Sequence, residues 1–419
     1  MNTLIKNAII VDASSPQNGK PVDIFIQKGK IQKIDFNINE SADTIIEAED
    51  LHVSIGWCDL FSDLADPGLE YRETIESGAT AAAKGGYSDI CIVPNTQPTI
   101  DQKSSVEYIK HKSKDLAVHI HPLGAISPNC DGKALAELYD MKMSGAIAFT
   151  DGWHPMQAPG VLVKALQYVK SFKGLIIQIP DEKSIQPSGL MHEGIVSTQM
   201  GLLARPSLSE DIAVNTNIQL SEYAGSKIHL TGISSKEGIE RIRQQKQVGA
   251  QVTCSVTPYH LFFTDEDLRS YDSNLKVFPV IRSASDQAAL IDAVNDGTVD
   301  CIASHHRPQH SDHKELEFEY AKNGMIGLQT TYAVLNKIVN QNQSKIVDLL
   351  AINPRKILGL EMPEIKEGAT ACLTLFQPNK KWTFTKEENA SISKNSAFFD
   401  VEFTGKPLGI INNQHVFIS

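Results

Sequence analysis

The chain has 419 residues, of which 41% are hydrophobic and 21% charged, a balance that supplies a large apolar core and excludes a disordered chain. Its formal net charge of −11 excludes a protein that grips nucleic acid through clustered Lys and Arg. The six cysteines are scattered without a C-x-x-C pair, and no apolar run reaches the roughly 18 residues of a membrane span. We therefore expect a soluble, cytoplasmic protein with neither nucleic-acid nor membrane partners.

Both ends of the chain alternate short β-branched runs with turn residues, a pattern typical of antiparallel sheet. The predicted terminal strands are residues 4–11, 22–27, 31–34, 44–47, 371–376, 382–385, 399–404 and 415–418. We interpret the two ends, residues 1–52 and 365–419, as halves of one small β-sandwich.

Between the two ends, residues 53–364 alternate short apolar strands with longer helical segments. Capping residues support this, since Ser235 precedes a helical run over 239–248 and Ser283 precedes another that ends near 294. The candidate strands are residues 53–60, 90–93, 118–123, 146–149, 175–179, 227–230, 251–255 and 301–303. Eight such units predict an α/β fold, a (β/α)₈ barrel of the TIM type, with any pocket at the carboxyl ends of the strands.

The stretch that follows the first barrel strand carries a specific resemblance. W-C-D-L-F-S-D-L-A-D-P-G-L-E-Y at 57–71 resembles the strand-one signature of dihydroorotases of the multifunctional-complex type, in the cyclic amidohydrolase family. Four further motifs resemble the family's in the same order, P-N-T at 94–96, A-F-T-D-G at 148–152, V-T-P-Y-H-L at 256–261 and N-P-R-K-I-L-G-L at 353–360. The resemblance covers nearly the whole chain and implies zinc-assisted hydrolysis of a cyclic amide in pyrimidine biosynthesis.

The positions that the resemblance assigns to chemistry have changed. Phe61 and Asp63 stand where the family has two zinc-binding histidines, and Ala65 stands where it has the arginine that grips the substrate carboxylate. A phenyl ring cannot coordinate a metal. Gln178 and Gly232 replace the family's next two ligand histidines.

The remaining family positions are mixed. His305 replaces the aspartate that serves the family as general base, and Phe278 replaces a substrate-binding asparagine. Asp151 and the supporting His229 are retained. Hydrolysis of a cyclic amide needs an activated water, a polarised carbonyl and a proton acceptor in one geometry. We therefore expect no intact catalytic site and no bound cofactor.

Three functional hypotheses remain open. The first is a non-catalytic dihydroorotase homologue that acts as an assembly or stabilising partner of aspartate carbamoyltransferase, or as a homo-oligomer. The second is an active cyclic amidohydrolase whose Zn²⁺ is held by a rearranged set, Asp63, Asp151, His305 and His306, which we expect to face one mouth. The third is a protein that binds a pyrimidine precursor as a sensor.

Other polar residues permit milder interpretations. Asn95, whose family counterpart touches the substrate carboxylate, either binds an anion or caps its loop. His119 and His121 are predicted to be structural, and Asp59 to hydrogen-bond within the barrel. The histidines of the loop after strand eight, His305, His306, His310 and His313, are predicted to lie in the pocket or on the surface.

Overall fold

The computed structural model describes residues 2–419. The strands are β1 Asn2–Ile10, β2 Pro21–Gln27, β3 Lys30–Asp35, β4 Thr44–Ile46, β5 His52–Ile55, β6 Trp57–Ser62, β7 Tyr87–Ile92, β8 His119–Pro122, β9 Ile176–Gln178, β10 Met191–His192, β11 Ala204–Arg205, β12 Ile228–Thr231, β13 Val252–Val256, β14 Cys301–Ile302, β15 Cys372–Thr383, β16 Glu402–Asn412 and β17 His415–Ile418.

The helices are α1 Ile75–Lys84, α2 Lys103–Lys112, α3 Leu138–Met143, α4 Pro159–Lys170, α5 Ile195–Met200, α6 Leu208–Ala224, α7 Lys236–Gln247, α8 Pro258–Phe262, α9 Ala284–Asp296, α10 Thr331–Ile338, α11 Gln343–Val347 and α12 Asn353–Leu358. Shorter 3₁₀ turns lie at Pro128–Cys130, Asp265–Ser270, Ser273–Leu275 and Ser311–His313, and a π turn at Asp348–Ile352.

The two ends of the chain share one mixed sheet. Its order is β17-β16-β15-β5-β1-β2-β3, with β4 paired to β1. The ends were expected to form a sandwich, whereas the structure places all of these strands in a single sheet. The reason lies in β5, which pairs parallel to β1 and antiparallel to β15 and so joins the two halves edge to edge.

The first predicted barrel strand, residues 53–60, is divided at Gly56. Before it, β5 belongs to the terminal sheet, and after it, β6 pairs parallel with β7. A Cβ on Gly56 would lie 2.2 Å from Ser88 Oγ and 2.7 Å from Cys372 Sγ, so no side chain fits where the chain passes between sheets. This close approach explains why one apolar run serves two sheets.

The central strands are parallel. β6, β7 and β8 form one set, and β9, β12, β13 and β14 form another. Phe149, in the predicted strand 146–149, bridges Gly124 beyond β8 and Ile176 in β9. Ser62 at the end of β6 bridges His306, just beyond β14, so β6 also lies beside the second set of strands.

Helix boundaries follow the capping residues. α7 begins after Ser235, whose hydroxyl accepts from the Gly238 amide, and α9 begins after Ser283 in a capping box with Asp286. Both helices were predicted from these serines and are confirmed. Across residues 2–419, no helix has the length and apolarity that a bilayer crossing requires.

An aromatic cluster joins the terminal sheet to the central strands. Trp57 of β6 stacks on Tyr332 of α10 with ring centroids 5.0 Å apart, and its ring lies 5.4 Å from that of Phe376 of β15. All three side chains are fully buried. Aromatic pairs at such distances contribute ~1 kcal/mol each beyond the area that they bury.

Candidate functional site

A large cavity opens among the loops that follow the central strands. We call it the main cavity; its volume is about 910 Å³. It is lined by Asn129, Cys130, Asp131, Gly132, Asp151, Trp153, His154, Pro155, Gln157, Ala158, Asp181, Lys183, Pro187, Ser188, Gly189, Leu190, Arg205, Lys276, Phe278, Arg307, Gln309, Ala321, Lys322 and Asn323. A cavity of this size at strand carboxyl ends is where such a fold binds ligands.

Phe61, at the end of β6, packs into an aromatic cluster beneath this cavity. Its ring stacks on His305 with centroids 4.6 Å apart and meets the edge of Trp153 at 5.0 Å. Phe61 is fully buried. The imidazole of His305 and the indole of Trp153 therefore pack around a phenyl ring at the position where the family resemblance implies a metal ligand.

Asp63 is engaged by three donors. Arg72 donates to Asp63 Oδ2 at 2.9 Å, Trp153 Nε1 donates to the same oxygen at 3.3 Å, and the amide of Ala65 donates to Oδ1 at 2.8 Å. The carboxylate and the guanidinium are both buried. These contacts bind Asp63 into the loop that follows β6.

His305 is held as a neutral imidazole. Burial, and then the neighbouring His260 and His229, hold the pKa of His305 well below its usual range. Its Nε2 hydrogen-bonds to the Thr231 hydroxyl at 2.8 Å, while its buried Nδ1 has no partner within residues 2–419. A neutral imidazole of this kind is a weak proton acceptor at neutral pH.

A hydrogen-bond chain continues from His305 into the strands. The hydroxyl of Thr231 meets that of Ser255 at 2.8 Å, and Ser255 meets His229 Nε2 at 3.1 Å. His229 Nδ1 meets Thr253 at 2.9 Å. Burial lowers the pKa of His229 to about 3, so this histidine is also neutral and serves the packing of β12 against β13.

Position 232 has no room for a side chain. Gly232 has φ +73°, and a Cβ there would lie 2.6 Å from His305 Cε1 and 3.1 Å from Pro279 Cδ. Both the backbone conformation and the contact oppose any larger residue. An imidazole therefore cannot be placed at 232 while His305 keeps its position.

Gln178 ends β9 and is 2% exposed. Its Oε1 accepts from the Met156 amide at 3.3 Å, and its Nε2 has no partner in the described chain. The side-chain amide thus helps to fix the loop that carries Met156. A neutral carboxamide is a poor ligand for zinc beside imidazole or thiolate.

Asp151 and Asn95 fix the loop that carries Trp153. Ser127 donates to Asp151 through its amide at 2.9 Å and its hydroxyl at 2.6 Å. Burial raises the pKa of Asp151 to about 6 in spite of these bonds. Asn95 donates to the Asp151 carbonyl at 3.1 Å and accepts from the Trp153 amide at 3.0 Å, which is the loop-capping role.

His306 points to a different side of the chain from the main cavity. Its Nε2 lies 3.6 Å from a carboxylate oxygen of Glu73, and its Nδ1 accepts from the Gly327 amide at 3.3 Å. The expectation that His306 faces the same mouth as Asp151 is wrong, because the two consecutive side chains His305 and His306 contact opposite surroundings.

The residues present do not fit a hydrolytic zinc centre. Phe61, Gln178 and Gly232 offer no imidazole, and Asp63, which also stands at a histidine position of the family, is paired with Arg72. Within residues 2–419, no three His, Cys, Asp or Glu side chains are grouped so that they could hold a metal ion. The rearranged set of Asp63, Asp151, His305 and His306 is not brought together.

The other histidines have structural surroundings. His121 Nε2 and His119 Nδ1 lie 2.8 and 3.3 Å from a carboxylate oxygen of Asp89, which also pairs with Arg355.

Asp59 accepts from the Ser62 hydroxyl at 2.5 Å and the Ser304 amide at 2.6 Å, which confirms its predicted internal hydrogen bonding.

The histidines farther along the loop lie around an exposed tyrosine. The rings of His310 and His313 are 5.9 and 6.3 Å from that of Tyr71. Neither histidine lines the main cavity.

Two residues of the cavity wall were missed by the sequence analysis. Trp153 is 5% exposed and contacts Phe61, Asp63 and His305, although only its place after the D-G pair marked it in sequence. Arg307 lies in S-H-H-R-P-Q at 304–309, which resembles the family's strand-eight motif T-D-H-A-P-H, so the resemblance implies alanine at position 307. That replacement of a small residue by a charged one was the signal.

Solved structures define the class of fold. This structure is similar to L-hydantoinase (dihydropyrimidinase) from Arthrobacter aurescens, with a TM-score of 0.86 and 22% identity, covering 100% of this chain and 96% of that chain. Dihydropyrimidinase from Brevibacillus agri has a TM-score of 0.81 and 19% identity, covering 99% and 94%. The protein therefore has an α/β fold of the TIM-barrel type.

Sequence relatives define the family. The model of the family described as dihydro-orotase-like matches residues 52–238. Dihydroorotase from Trichlorobacter lovleyi is 37% identical over 410 residues, 97% of this chain and 96% of that protein. Dihydroorotase from Caldanaerobacter subterraneus is 34% identical over 410 residues, 97% and 94%. The chain belongs to the dihydroorotase-like family, which confirms the resemblance of its motifs.

Proposed function

We propose that this protein serves pyrimidine biosynthesis as a non-catalytic dihydroorotase homologue in the cytoplasm. The observation that carries the proposal is the packing of Phe61 against both His305 and Trp153. In our proposal, residues 53–364 form a closed eight-stranded barrel, and residues 1–52 and 365–419 form a second domain that supports it.

The chemistry of ring opening explains the proposal. A metal-bound water is about nine pKa units more acidic than free water, and without that activation a cyclic amide is hydrolysed very slowly. Phe61 and Gly232 supply no ligand, and His305 is a neutral and weakly basic imidazole. The site thus has no means of acidifying a water, and the imidazole that stands at the family's general-base position accepts a proton poorly.

Metal content and turnover test this proposal together. The purified protein is assayed for bound transition metal and for hydrolysis of dihydroorotate in added Zn²⁺, with the Trichlorobacter lovleyi dihydroorotase as control. We expect far less than one metal per chain and no turnover above the uncatalysed rate. Stoichiometric metal together with turnover would contradict the proposal.

The second part of the proposal concerns the partner. A homologue that keeps its fold without its chemistry is suited to an assembly role, and we propose that it stabilises aspartate carbamoyltransferase. Co-purification of the two chains from the same organism, followed by light scattering, is expected to give a hetero-oligomer. A monodisperse homo-oligomer that does not bind aspartate carbamoyltransferase would contradict the proposed partner role, but not the proposed absence of catalysis.

An active dihydroorotase is the second candidate function. It is favoured by the relatives named dihydroorotase, which are 34% and 37% identical over 97% of this chain and fit a catalytic function at least as well. This candidate requires a metal site built otherwise than in the family pattern. It predicts that the protein hydrolyses dihydroorotate when Zn²⁺ is added. The metal and turnover assay therefore distinguishes this candidate from the non-catalytic function, which predicts no turnover.

A further inference from the structure

Arg307 presents to the main cavity a guanidinium that forms no ion pair within residues 2–419. Its Cζ lies 4.3 Å from the centroid of the Trp153 ring, and its Nε is buried without an acceptor. No ion pair or side-chain hydrogen bond of Arg307 is present within residues 2–419. Burial lowers the pKa of Arg307 to about 10, which leaves it charged at neutral pH.

The other interior cations of the cavity wall are satisfied. Arg205 forms a two-point pair with Asp181, at 2.9 and 2.5 Å. Lys276 Nζ donates to the carbonyls of Phe318 and Glu319 at 2.7 and 2.8 Å. Arg307 is therefore the interior cation of this wall whose charge is not met by the chain.

The acidic groups around the cavity do not neutralise Arg307. Asp181 is paired with Arg205, Asp151 is held by Ser127, and the nearby Asp63 is paired with Arg72. The exposed Asp131 faces Lys133 at 3.2 Å.

Two further exposed lysines, Lys183 and Lys322, lie on the cavity lining. In a chain of net charge −11, this cavity keeps unpaired positive charge, and low-dielectric walls focus such a field on an incoming anion.

Gln309 adds a second unsatisfied group to the same wall. It is 3% exposed, and its Nε2 donates to the Asn323 carbonyl at 2.8 Å. That bond orients the amide and leaves Oε1 buried without a donor within residues 2–419. A buried acceptor without a donor destabilises the protein, and a ligand N–H or O–H directed at this oxygen would supply the missing hydrogen bond.

We propose that the main cavity binds a small oxyanion, a carboxylate or a phosphate, through the guanidinium of Arg307, with a ligand N–H or O–H donated to Gln309. A planar guanidinium pairs with either anion at two points. The proposed binding group differs from that of the family pattern, where the residue at position 65 grips the carboxylate and position 307 is alanine. The inference goes beyond the proposed function, because anion binding and ring hydrolysis are measured separately.

Titration calorimetry with succinate and, separately, with inorganic phosphate tests the inference at constant ionic strength. We expect saturable binding of one anion per chain, and the tighter of the two identifies the ligand class. Arg307→Ala is expected to weaken that binding at least tenfold. Arg269→Ala, which removes an exposed guanidinium that does not line the cavity, is the matched control and is expected to change the affinity less than threefold.

A second variant covers the case in which Arg307→Ala does not fold. Arg307→Gln keeps a planar group over Trp153 but removes the charge, and it is also expected to lose at least tenfold in affinity. Emission of Trp153, read against a Trp153→Phe background, should shift with anion in the wild type. The inference is overturned if neither anion saturates, or if the folded Arg307 variant binds as tightly as the wild type.

Discussion

Replacement of Gly232 by alanine tests whether the ligand position is closed to side chains. A Cβ at 232 meets His305 Cε1 at 2.6 Å, and φ is +73°. The left-handed backbone costs an alanine about 1–2 kcal/mol, and overpacking adds about 1–3 kcal/mol. We expect Gly232→Ala to lower the free energy of unfolding by about 2–5 kcal/mol in all.

Gly201 provides a matched control, because its φ is +70° and a Cβ there meets nothing within 4 Å. Gly201→Ala should therefore lose only the backbone component, about 1–2 kcal/mol. Urea unfolding is followed by circular dichroism and tryptophan fluorescence in parallel, so that a shared transition can be identified. Adding His305→Ala to Gly232→Ala should recover the overpacking component as a coupling energy. Equal losses in the two glycine variants would refute the reasoning and leave position 232 open to a histidine.

Three other substitutions follow from the site. Arg72→Met leaves the carboxylate of Asp63 buried and unpaired, so we expect the free energy of unfolding in urea to fall by about 3–5 kcal/mol. The control Arg269→Met breaks an exposed ion pair and should lower it by less than about 1 kcal/mol. Similar losses in the two variants would contradict a stabilising buried pair of Arg72 and Asp63. Because burial raises the pKa of Asp151 to about 6, the folded state binds this proton more tightly than the unfolded chain, and stability falls as pH rises from about 4 to about 6. Asp151→Asn should remove that dependence, so its free energy of unfolding should rise by up to ~3 kcal/mol relative to that of the wild type between about pH 4 and about pH 6. Parallel plots of unfolding free energy against pH for the two proteins would contradict the raised pKa of Asp151. Phe61→Ala should cost about 3–5 kcal/mol in the same assay, and a loss below about 1 kcal/mol would show that the aromatic cluster is loosely packed.

The sequence was most informative where local chemistry decides structure. Ser235 and Ser283 marked the starts of α7 and α9 because a capping hydroxyl acts within three residues. The resemblance of the motifs to those of the dihydroorotase family also placed Phe61 at the end of β6 and Gly232 directly after β12. These features depend on short stretches of chain, which a single sequence displays directly.

Long-range packing was beyond the sequence. Trp153 contacts Phe61 of β6 and His305 beyond β14, which are far apart in the sequence, and no periodicity indicates such contacts. The division of the run 53–60 at Gly56 depends on strands more than 300 residues away. The different surroundings of His305 and His306 could be seen only in the structure, because they depend on the backbone conformation of His305, which has φ +45°.

The pairing of β5 with β15 has a consequence for synthesis of the chain. Residues 52–55 form hydrogen bonds with residues 373–376. During synthesis of the chain this edge of β5 therefore has no partner until more than 300 further residues have been added. Unpaired edges invite association with other chains. The edge of β5 therefore stays unpaired until residues 373–376 have been synthesised, and until then it is a place where the chain can associate with others.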